Sequence, residues 1–584
     1  MELRILRVDM TTATVTEEPF NQKDYGYYGG RGLIDVILSK EGNPTCDPLG
    51  PDNLLIFATG LLAGTNMTTS GRLSVGGKSP LTGGIKESNS GGTMARTLID
   101  QAIKMVIVKG KAPEGKLYYL YVSPEGKASL ECADEIAMKG NYELGDILRA
   151  KYNDEIAIAS VGPAAERGAL TSSVMVTEFK THHPCRAAAR GGMGTVMASK
   201  GLKAVVVEEP VEAYKPVIPE EYKEEFQDCV RRVAKSITDN PMTRETYPNL
   251  GSAAGVDVTG MMGGLPYKNF SGKRCEYQNL ASPGWTGVMK AQGGHGGMPC
   301  QKGCIIRCTN EFVGKDGKYL SGGIEYETLA LCGSNLGIFD PNFVATVDRF
   351  CDDYGLDTID TGAAIGVAMD CGVLEFGDQE AALKLLYSVQ DENSELGKVL
   401  LKGCQAMGEH LGAKRIPTSK RQALAAYDPH VIPGFGRTFE RSPMGGDHTS
   451  GSAMLNRTDL SPDDQVDAMQ ALTAACDNYV CLFAWGSISM NPDGKAALAR
   501  AVGIFCGDAE GPGIEPDFFE ALGRKMLYFE HSFNKANGWT FEDEKVPDFF
   551  YNEPAEANGK VFERLITRSF LDIADERGMN QPLL

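Results

Sequence analysis

Three cysteines, Cys300, Cys304 and Cys308, follow one another in C-x3-C-x3-C spacing, and a fourth, Cys481, stands far downstream in Asp477-Asn-Tyr-Val-Cys481-Leu-Phe483. Four thiolates gathered from such positions suit a soft metal centre, first of all an iron–sulfur cluster. Tetrahedral zinc is the competitor, although zinc motifs usually come as two close pairs rather than three thiols on one segment with a distant fourth. The radical-SAM pattern, which leaves one iron open, differs in spacing and has no use for a fourth cysteine.

A second set of residues could hold an anion. Ser70-Gly-Arg72, Lys78-Ser-Pro-Leu-Thr-Gly83 and Asn89-Ser-Gly91-Gly92 crowd into one stretch, and Arg186-Ala-Ala-Ala-Arg190-Gly-Gly-Met-Gly194 follows later. Guanidinium groups fork onto phosphate oxygens, and exposed glycine amides add donors. Each loop alone reads as a β-turn. Two Arg-plus-Gly loops in one region point to a phosphate-bearing cofactor.

The elements that must position these groups follow from length and pattern. A chain of 584 residues exceeds the size of a single core. Short apolar runs before residue 208, among them Leu54–Ala58, Met105–Val108, Leu117–Val122, Ile156–Ala159 and Ala204–Val207, read as strands between Gly-rich turns. After Pro210 helical periodicity takes over, beginning with a charged helix at Pro219. Residues 341–354 predict a helix stopped at Gly355, Ser394–Leu411 predicts one amphipathic helix, and Ser461-Pro462 opens another that runs through Ala475. The fold class expected is α+β, with a β-rich N-terminal domain over 1–208 and two mainly helical domains over 209–410 and 411–584.

Composition narrows the partners. The net charge of −19 disfavours nucleic acid, whose affinity is mostly phosphate neutralisation, but leaves room for an acidic electron carrier on a local basic patch. No apolar run is long enough for a transmembrane helix, and Met1–Asp9 alternates like a strand, so a cytoplasmic protein is expected. Fifteen cysteines in such a chain are not a disulfide framework. Those outside the cluster, such as Cys371 and Cys404, read as small buried hydrophobes.

These motifs also carry a resemblance. From Tyr28-Gly-Gly-Arg-Gly-Leu33 and Pro48-Leu-Gly-Pro-Asp-Asn-Leu-Leu-Ile56, through the loops above, to Leu482-Phe483, the chain resembles the tungsten-containing aldehyde ferredoxin oxidoreductase family. The resemblance implies tungsten, or molybdenum, held by two pterin cofactors beside one [4Fe-4S] cluster. It implies pterin and phosphate contacts at Arg72, Asn89, Gly91, Arg186 and Ala187, with the carbonyls of Asn89 and Ala187 on a bridging magnesium. The D-x-x-G-L-D pterin motif stands as Asp352-Asp-Tyr-Gly-Leu-Asp357. The second motif is altered to Cys476-Asp-Asn-Tyr-Val-Cys481: an ungapped match puts Cys476 where the family has aspartate, Asp477 one residue later is the other candidate contact, and Val480 stands beside them. The first cysteine spacing, C-x3-C, is also one residue longer than the family's usual C-x2-C.

The same resemblance implies that Glu327 is a general base and that His448 hydrogen-bonds substrate at the cofactor. The family's lysine two positions after that histidine is Ser450 here, and its E-x-x-H iron-bridging site is Thr346-Val-Asp-Arg349. A homo-oligomer, if formed, would therefore lack the bridging iron. The implied reaction is oxidation of a small-molecule aldehyde to the carboxylic acid, with electrons passing to ferredoxin or a small iron–sulfur subunit. Reduction of an aromatic acyl-thioester or other carbonyl-type substrate on the same cofactor is the alternative, and a non-catalytic iron–sulfur or zinc scaffold is the reading from a different class.

Overall fold

The structure is a computed structural model that describes residues 2–451, 459–508 and 515–579. Twelve strands before residue 208 form two six-stranded sheets. The first has the order β2-β1-β6-β3-β4-β5, where β1 is Arg4–Asp9, β2 Thr14–Pro19, β3 Leu55–Thr59, β4 Leu73–Lys78, β5 Ile85–Ser90 and β6 Ile103–Lys109. The second has the order β11-β10-β9-β12-β7-β8, where β7 is Tyr118–Val122, β8 Ala128–Cys132, β9 Ala157–Ser160, β10 Val174–Val176, β11 Arg186–Ala188 and β12 Leu202–Val207. Each sheet has one parallel pair, β1–β6 and β7–β12.

The continuous apolar runs have a physical cause, since central strands are covered on both faces. Leu6, Phe57, Val106 and Val108 meet Leu120, Val122, Val205 and Val207 between the sheets. Their alternating neighbours Ile5, Ile56 and Ile107 pack outward on Leu33, Ile34 and Ile37 of the helix Gly30–Glu41. Tyr119, Ile158 and Val206 likewise pack on Leu144 and Leu148 of the helix Asn141–Lys151. A period of two thus feeds two cores from one strand.

The rest is mainly helical, packed among the described residues around two large apolar cores and one small one, as the α+β expectation requires. The charged helix opens with a tight turn at Glu220–Tyr222, continues over Lys223–Asp239, and buries Phe226, Cys229, Val233 and Ile237 on one face. The helix Pro341–Tyr354 is capped by Asp340, which accepts from Asn342 N at 2.9 Å, and ends at Gly355 with φ +82°. Ser461 caps Pro462–Cys476 by accepting from Asp464 N at 3.1 Å.

Three expectations change. Ser394–Leu411 is two helices, Glu395–Leu400 and Cys404–Leu411. They break at Gly403, whose φ is +90° and whose Cβ would lie 2.7 Å from Thr171 Cγ2 and 2.8 Å from Asp360 Oδ1. Close packing against those neighbours, rather than loss of amphipathic period, interrupts the helix. Cys371, expected to be buried, caps the helix Thr358–Asp370 and is exposed, whereas Cys404 is buried. A three-stranded sheet, β13 His295–Met298, β14 Thr309–Val313 and β15 Tyr319–Gly322, also stands within the helical part around the cysteine loop. Among the described residues no helix is long and apolar enough to cross a membrane.

Candidate active site

The site begins where two sheet edges meet. β5 ends the first sheet and β11 the second, and they lie against each other, stitched by Ser88 Oγ donating to the Arg190 carbonyl at 2.8 Å. Asn89 and Ala187 therefore sit on adjacent edges. Arg72 Nε donates to Asn89 Oδ1 at 2.5 Å, and among the described residues Arg72 has no ion pair. Arg186 donates to Thr309 Oγ1 at 2.6 Å and lies 3.4 Å from Glu325, with its buried Nε unpaired. Gly323, at φ +68°, makes room for Arg186: a Cβ there would lie 1.3 Å from Nη2.

The cysteine segments are pinned to this edge. Gly92 N donates to the Cys300 carbonyl at 3.0 Å, Cys481 N to the Thr69 carbonyl at 3.1 Å, and Thr68 Oγ1 to the Gly303 carbonyl at 2.8 Å. Cys300 hydrogen-bonds Cys304 and holds its thiol below the ordinary range, which favours the ligating thiolate. Burial pushes the Cys481 thiol up, and the Arg72 charge opposes it. Cys300 and Cys481 both lie close enough to influence Cys308. Gly91 closes the gap, since a Cβ there would stand 3.1 Å from Cys300 Sγ and 3.2 Å from Arg72 Nη1. Among the described residues no three His, Cys, Asp or Glu side chains converge on a point where one ion would sit.

Two acidic pairs flank the edges. Ser321 Oγ donates to Asp348 at 2.6 Å and to Asp352 at 3.4 Å. Burial raises Asp348 to about 7, while burial and then the Asp348 charge raise Asp352 well above the carboxylate range. Asp357 caps the helix Thr358–Asp370 through Ile359 N at 2.9 Å and lies 3.2 Å from Arg190 Nε. On the other side, Asp477 lies 3.2 Å from Arg31, which Glu530 grips through two hydrogen bonds of 2.7 and 2.9 Å. Burial and then Glu87 raise Asp477 to about 7, against the pull of Arg31. Cys476 instead turns its thiol to the Val480 carbonyl at 3.3 Å, and the Val480 side chain is buried in the apolar core.

Glu327 and His448 meet in a third place. Glu327 stands in the first turn of the helix Tyr326–Leu331; its Oε2 accepts from Ala426 N at 2.8 Å. Its Oε1 has no hydrogen bond among the described residues and lies 3.6 Å from His448 Nε2. Burial raises the Glu327 pKa, opposed by His448, the Ala426 amide and Arg190. Asp447 approaches His448 Nδ1 at 3.8 Å, pairs with Lys86 and caps Thr449 N at 2.9 Å. Burial disfavours its charge, yet Lys86 and Arg190 hold Asp447 far below the carboxylate range. Tyr427 adds an aromatic wall, its ring 5.8 Å from that of His448 and stacked on Phe435 at 3.8 Å. Ser450 points elsewhere, its hydroxyl 2.9 Å from Ser442 Oγ.

The sequence models for "Aldehyde ferredoxin oxidoreductase, N-terminal domain" and "Aldehyde ferredoxin oxidoreductase, domains 2 & 3" match residues 5–209 and 228–573. This chain belongs to the aldehyde ferredoxin oxidoreductase family. The tungsten-containing aldehyde ferredoxin oxidoreductases of Pyrococcus furiosus and Pyrococcus abyssi are 30% and 32% identical to it, over 94% of this chain and 91% of theirs. An "Aliphatic sulfonate oxidoreductase, WOR-like subunit" of Pyrococcus furiosus is 27% identical over 77% of this chain and 75% of its own. A solved structure, "Active site complex BamBC of Benzoyl Coenzyme A reductase in complex with 1,5 Dienoyl-CoA", shares the fold at TM-score 0.76 and 19% identity, covering 99% of this chain and 94% of that one.

Membership in the aldehyde ferredoxin oxidoreductase family makes the protein an oxidoreductase and implies a tungstopterin and a [4Fe-4S] cluster, in place of a non-catalytic scaffold. The residues present fit those groups. Among the described residues Arg72 has no ion pair and the buried Arg186 Nε has no acceptor, so both leave cationic N–H donors that a phosphate-bearing pterin could use. Lys86 and Tyr427 are the neighbours that sequence reasoning did not assign to the site, while Arg190, read there as part of an anion-binding loop, pairs with Asp357. Lys86 reads as an ordinary strand lysine until folding brings Asp447 to it from 361 positions away.

Proposed function

We propose that this protein oxidises an aldehyde to the carboxylic acid with water at the Glu327–His448 pair, passing two electrons singly to a ferredoxin or small iron–sulfur subunit. The observation that carries this reading is the buried, unpaired Glu327 Oε1, raised in pKa and 3.6 Å from His448 Nε2. Desolvation that lifts a carboxyl toward neutrality is what a general base needs. Glu327 takes a proton from the attacking water or the hydrated carbonyl. His448 Nε2 donates to the carbonyl oxygen and polarises the carbon. Asp447, fixed by Lys86, faces the Nδ1 edge of the ring at 3.8 Å, beyond hydrogen-bond reach.

A bound tungstopterin supplies the two-electron chemistry. Arg72, Asn89, Gly91, Arg186, Ala187, Asp352, Asp357, Asp477 and Val480 are its proposed contacts, with magnesium on the Asn89 and Ala187 carbonyls. Oxygen donors beside phosphates suit that hard cation. Cys300, Cys304, Cys308 and Cys481 are the proposed cluster ligands. On this reading the chain divides into a pterin-binding domain over 1–208, a domain over 209–410 with three cluster cysteines and Glu327, and a domain over 411–584 with His448 and Cys481. The test is anaerobic turnover of an aldehyde panel with viologen as acceptor; no reduction by any aldehyde contradicts it.

A second reading is reduction of an aromatic acyl-thioester or related carbonyl substrate. The Tyr427–Phe435 stack beside His448 favours it, because an aromatic ring would find a matching face there. Turnover with reduced viologen and an aromatic acyl-thioester, in place of aldehyde oxidation, would select it.

A further inference from the structure

The loop that carries three of the cysteines also shapes a piece of the surface. Cys300, Ile306 and Cys308 are buried, Cys304 and Ile305 are half-buried, and Lys302, Gly303 and Arg307 are exposed. Cys304 is thus the thiol of this loop that reaches furthest toward solvent. The Lys302 and Arg307 side chains have no ion-pair partner among the described residues. Arg307 holds φ at +55°, a conformation uncommon for a residue with a side chain, at the turn into Cys308.

Beside these cations lies an apolar ledge. Leu482 and Phe483, directly after Cys481, are half-buried and belong to the same apolar cluster as Ile305. Tyr247 stacks on Phe483 with ring centroids 4.6 Å apart. A half-exposed apolar ledge rimmed by unpaired cations is an unusual feature on a chain with net charge −19. An acidic partner is repelled by most of such a surface and attracted to this face, which orients the encounter as well as speeding it.

We infer that an acidic iron–sulfur carrier docks over Cys304 and the Ile305–Leu482–Phe483 ledge, steered by Lys302 and Arg307. The inference rests on the reading of this protein as an oxidoreductase whose electrons leave through its cysteine-bound cluster. Each encounter moves one electron outward to the oxidised carrier and transfers no atom. Two encounters balance the two electrons released per aldehyde oxidised.

The test uses anaerobically purified holoenzyme and a purified acidic bacterial ferredoxin. Binding is measured directly at low and high salt, beside ferredoxin-linked and viologen-linked turnover. In the Lys302→Glu/Arg307→Glu variant, the Kd and the KM for ferredoxin should rise by about tenfold or more, and the salt dependence of binding should flatten. Viologen-linked kcat should stay unchanged. Lys384→Glu, another exposed site, on the helix Gln379–Tyr387, should change nothing. If charge reversal lowers the iron content, Lys302→Gln/Arg307→Gln is read in its place and should show a smaller loss with the same flattening. Unchanged ferredoxin binding in an iron-replete variant overturns the docking face, as does absence of ferredoxin binding by the unsubstituted protein. Viologen-linked aldehyde oxidation separately reports whether the proposed activity survives.

Discussion

Glu327 Oε1 stands 3.6 Å from His448 Nε2, although the two residues come from a helix and a turn separated by more than a hundred positions. Each is fixed from behind. Glu327 Oε2 is held by the Ala426 amide, and the turn before His448 is tied down by the Lys86–Asp447 pair. Among the described residues neither Glu327 Oε1 nor His448 Nδ1 has a hydrogen-bond partner. A buried polar atom without a partner costs about 1–3 kcal/mol; Glu327 Oε1 faces His448 Nε2, while Nδ1 faces Asp447.

Replacing the base should therefore cost rate rather than fold. Glu327→Gln keeps the shape and the Ala426 contact but cannot accept the proton. Turnover of the best aldehyde should fall about 10²–10⁴-fold, with unchanged thermal unfolding and metal content. The pH profile carries the same information. Burial raises Glu327 above its ordinary value of 4.5, and only the ionised form is a base. The acid limb of kcat/KM should accordingly titrate above that value in the unsubstituted protein and vanish in Glu327→Gln.

The Lys86–Asp447 pair is a structural dependency beneath the site. Both side chains are almost wholly buried, and removing one charge strands the other. Asp447→Asn should lower stability by about 3–5 kcal/mol in denaturant titration, and Lys86→Met with Asp447→Leu together should recover much of that loss. Because the folded-state pKa of Asp447 is depressed, its contribution is intact above its ordinary value of 3.8 and is lost as pH falls below it.

Gly323 is required by Arg186. A Cβ at that position would overlap Nη2, at a backbone φ of +68° that side chains rarely adopt. Gly323→Ala should displace the guanidinium and reduce the pterin recovered from purified protein, with a loss of stability exceeding about 1 kcal/mol. Equal pterin content in both proteins would falsify the assignment of Arg186 as a phosphate contact.

The cysteines differ in ways that metal analysis can resolve. Cys304→Ser should lower iron below about four per chain and alter the cluster's electron paramagnetic resonance signal. Cys476→Ser should do neither, because its thiol is spent on the Val480 carbonyl. A loss of iron from Cys476→Ser would move the ligand set by one turn.

Much of this was legible in the chain. The strands at Met105–Val108 and Ala204–Val207 declared themselves because strands covered on both faces are apolar throughout. The helix Pro341–Tyr354 carried its own cap, its proline and its stop. Gly403 was not legible as a break, since the buried face continues across it and only Thr171 and Asp360 forbid a side chain there. The sheet β13–β15 was missed because His295–Met298 is half glycine and four residues long. In the site, residues within odd motifs could be named, whereas Lys86 and Tyr427 gain their roles from contacts made across the whole fold. Asp477 illustrates the middle case: the motif left two candidates, and folding gives them different surroundings, Arg31 beside Asp477 and the Val480 carbonyl on the Cys476 thiol.

The most direct measurement follows the cluster signal after one addition of aldehyde to anaerobic protein without an electron acceptor. Unsubstituted protein should show reduction of its cluster, and Glu327→Gln protein with equal tungsten and iron should show almost none over the same interval. Equal reduction in both would mean that the carboxyl beside His448 takes no part in the chemistry.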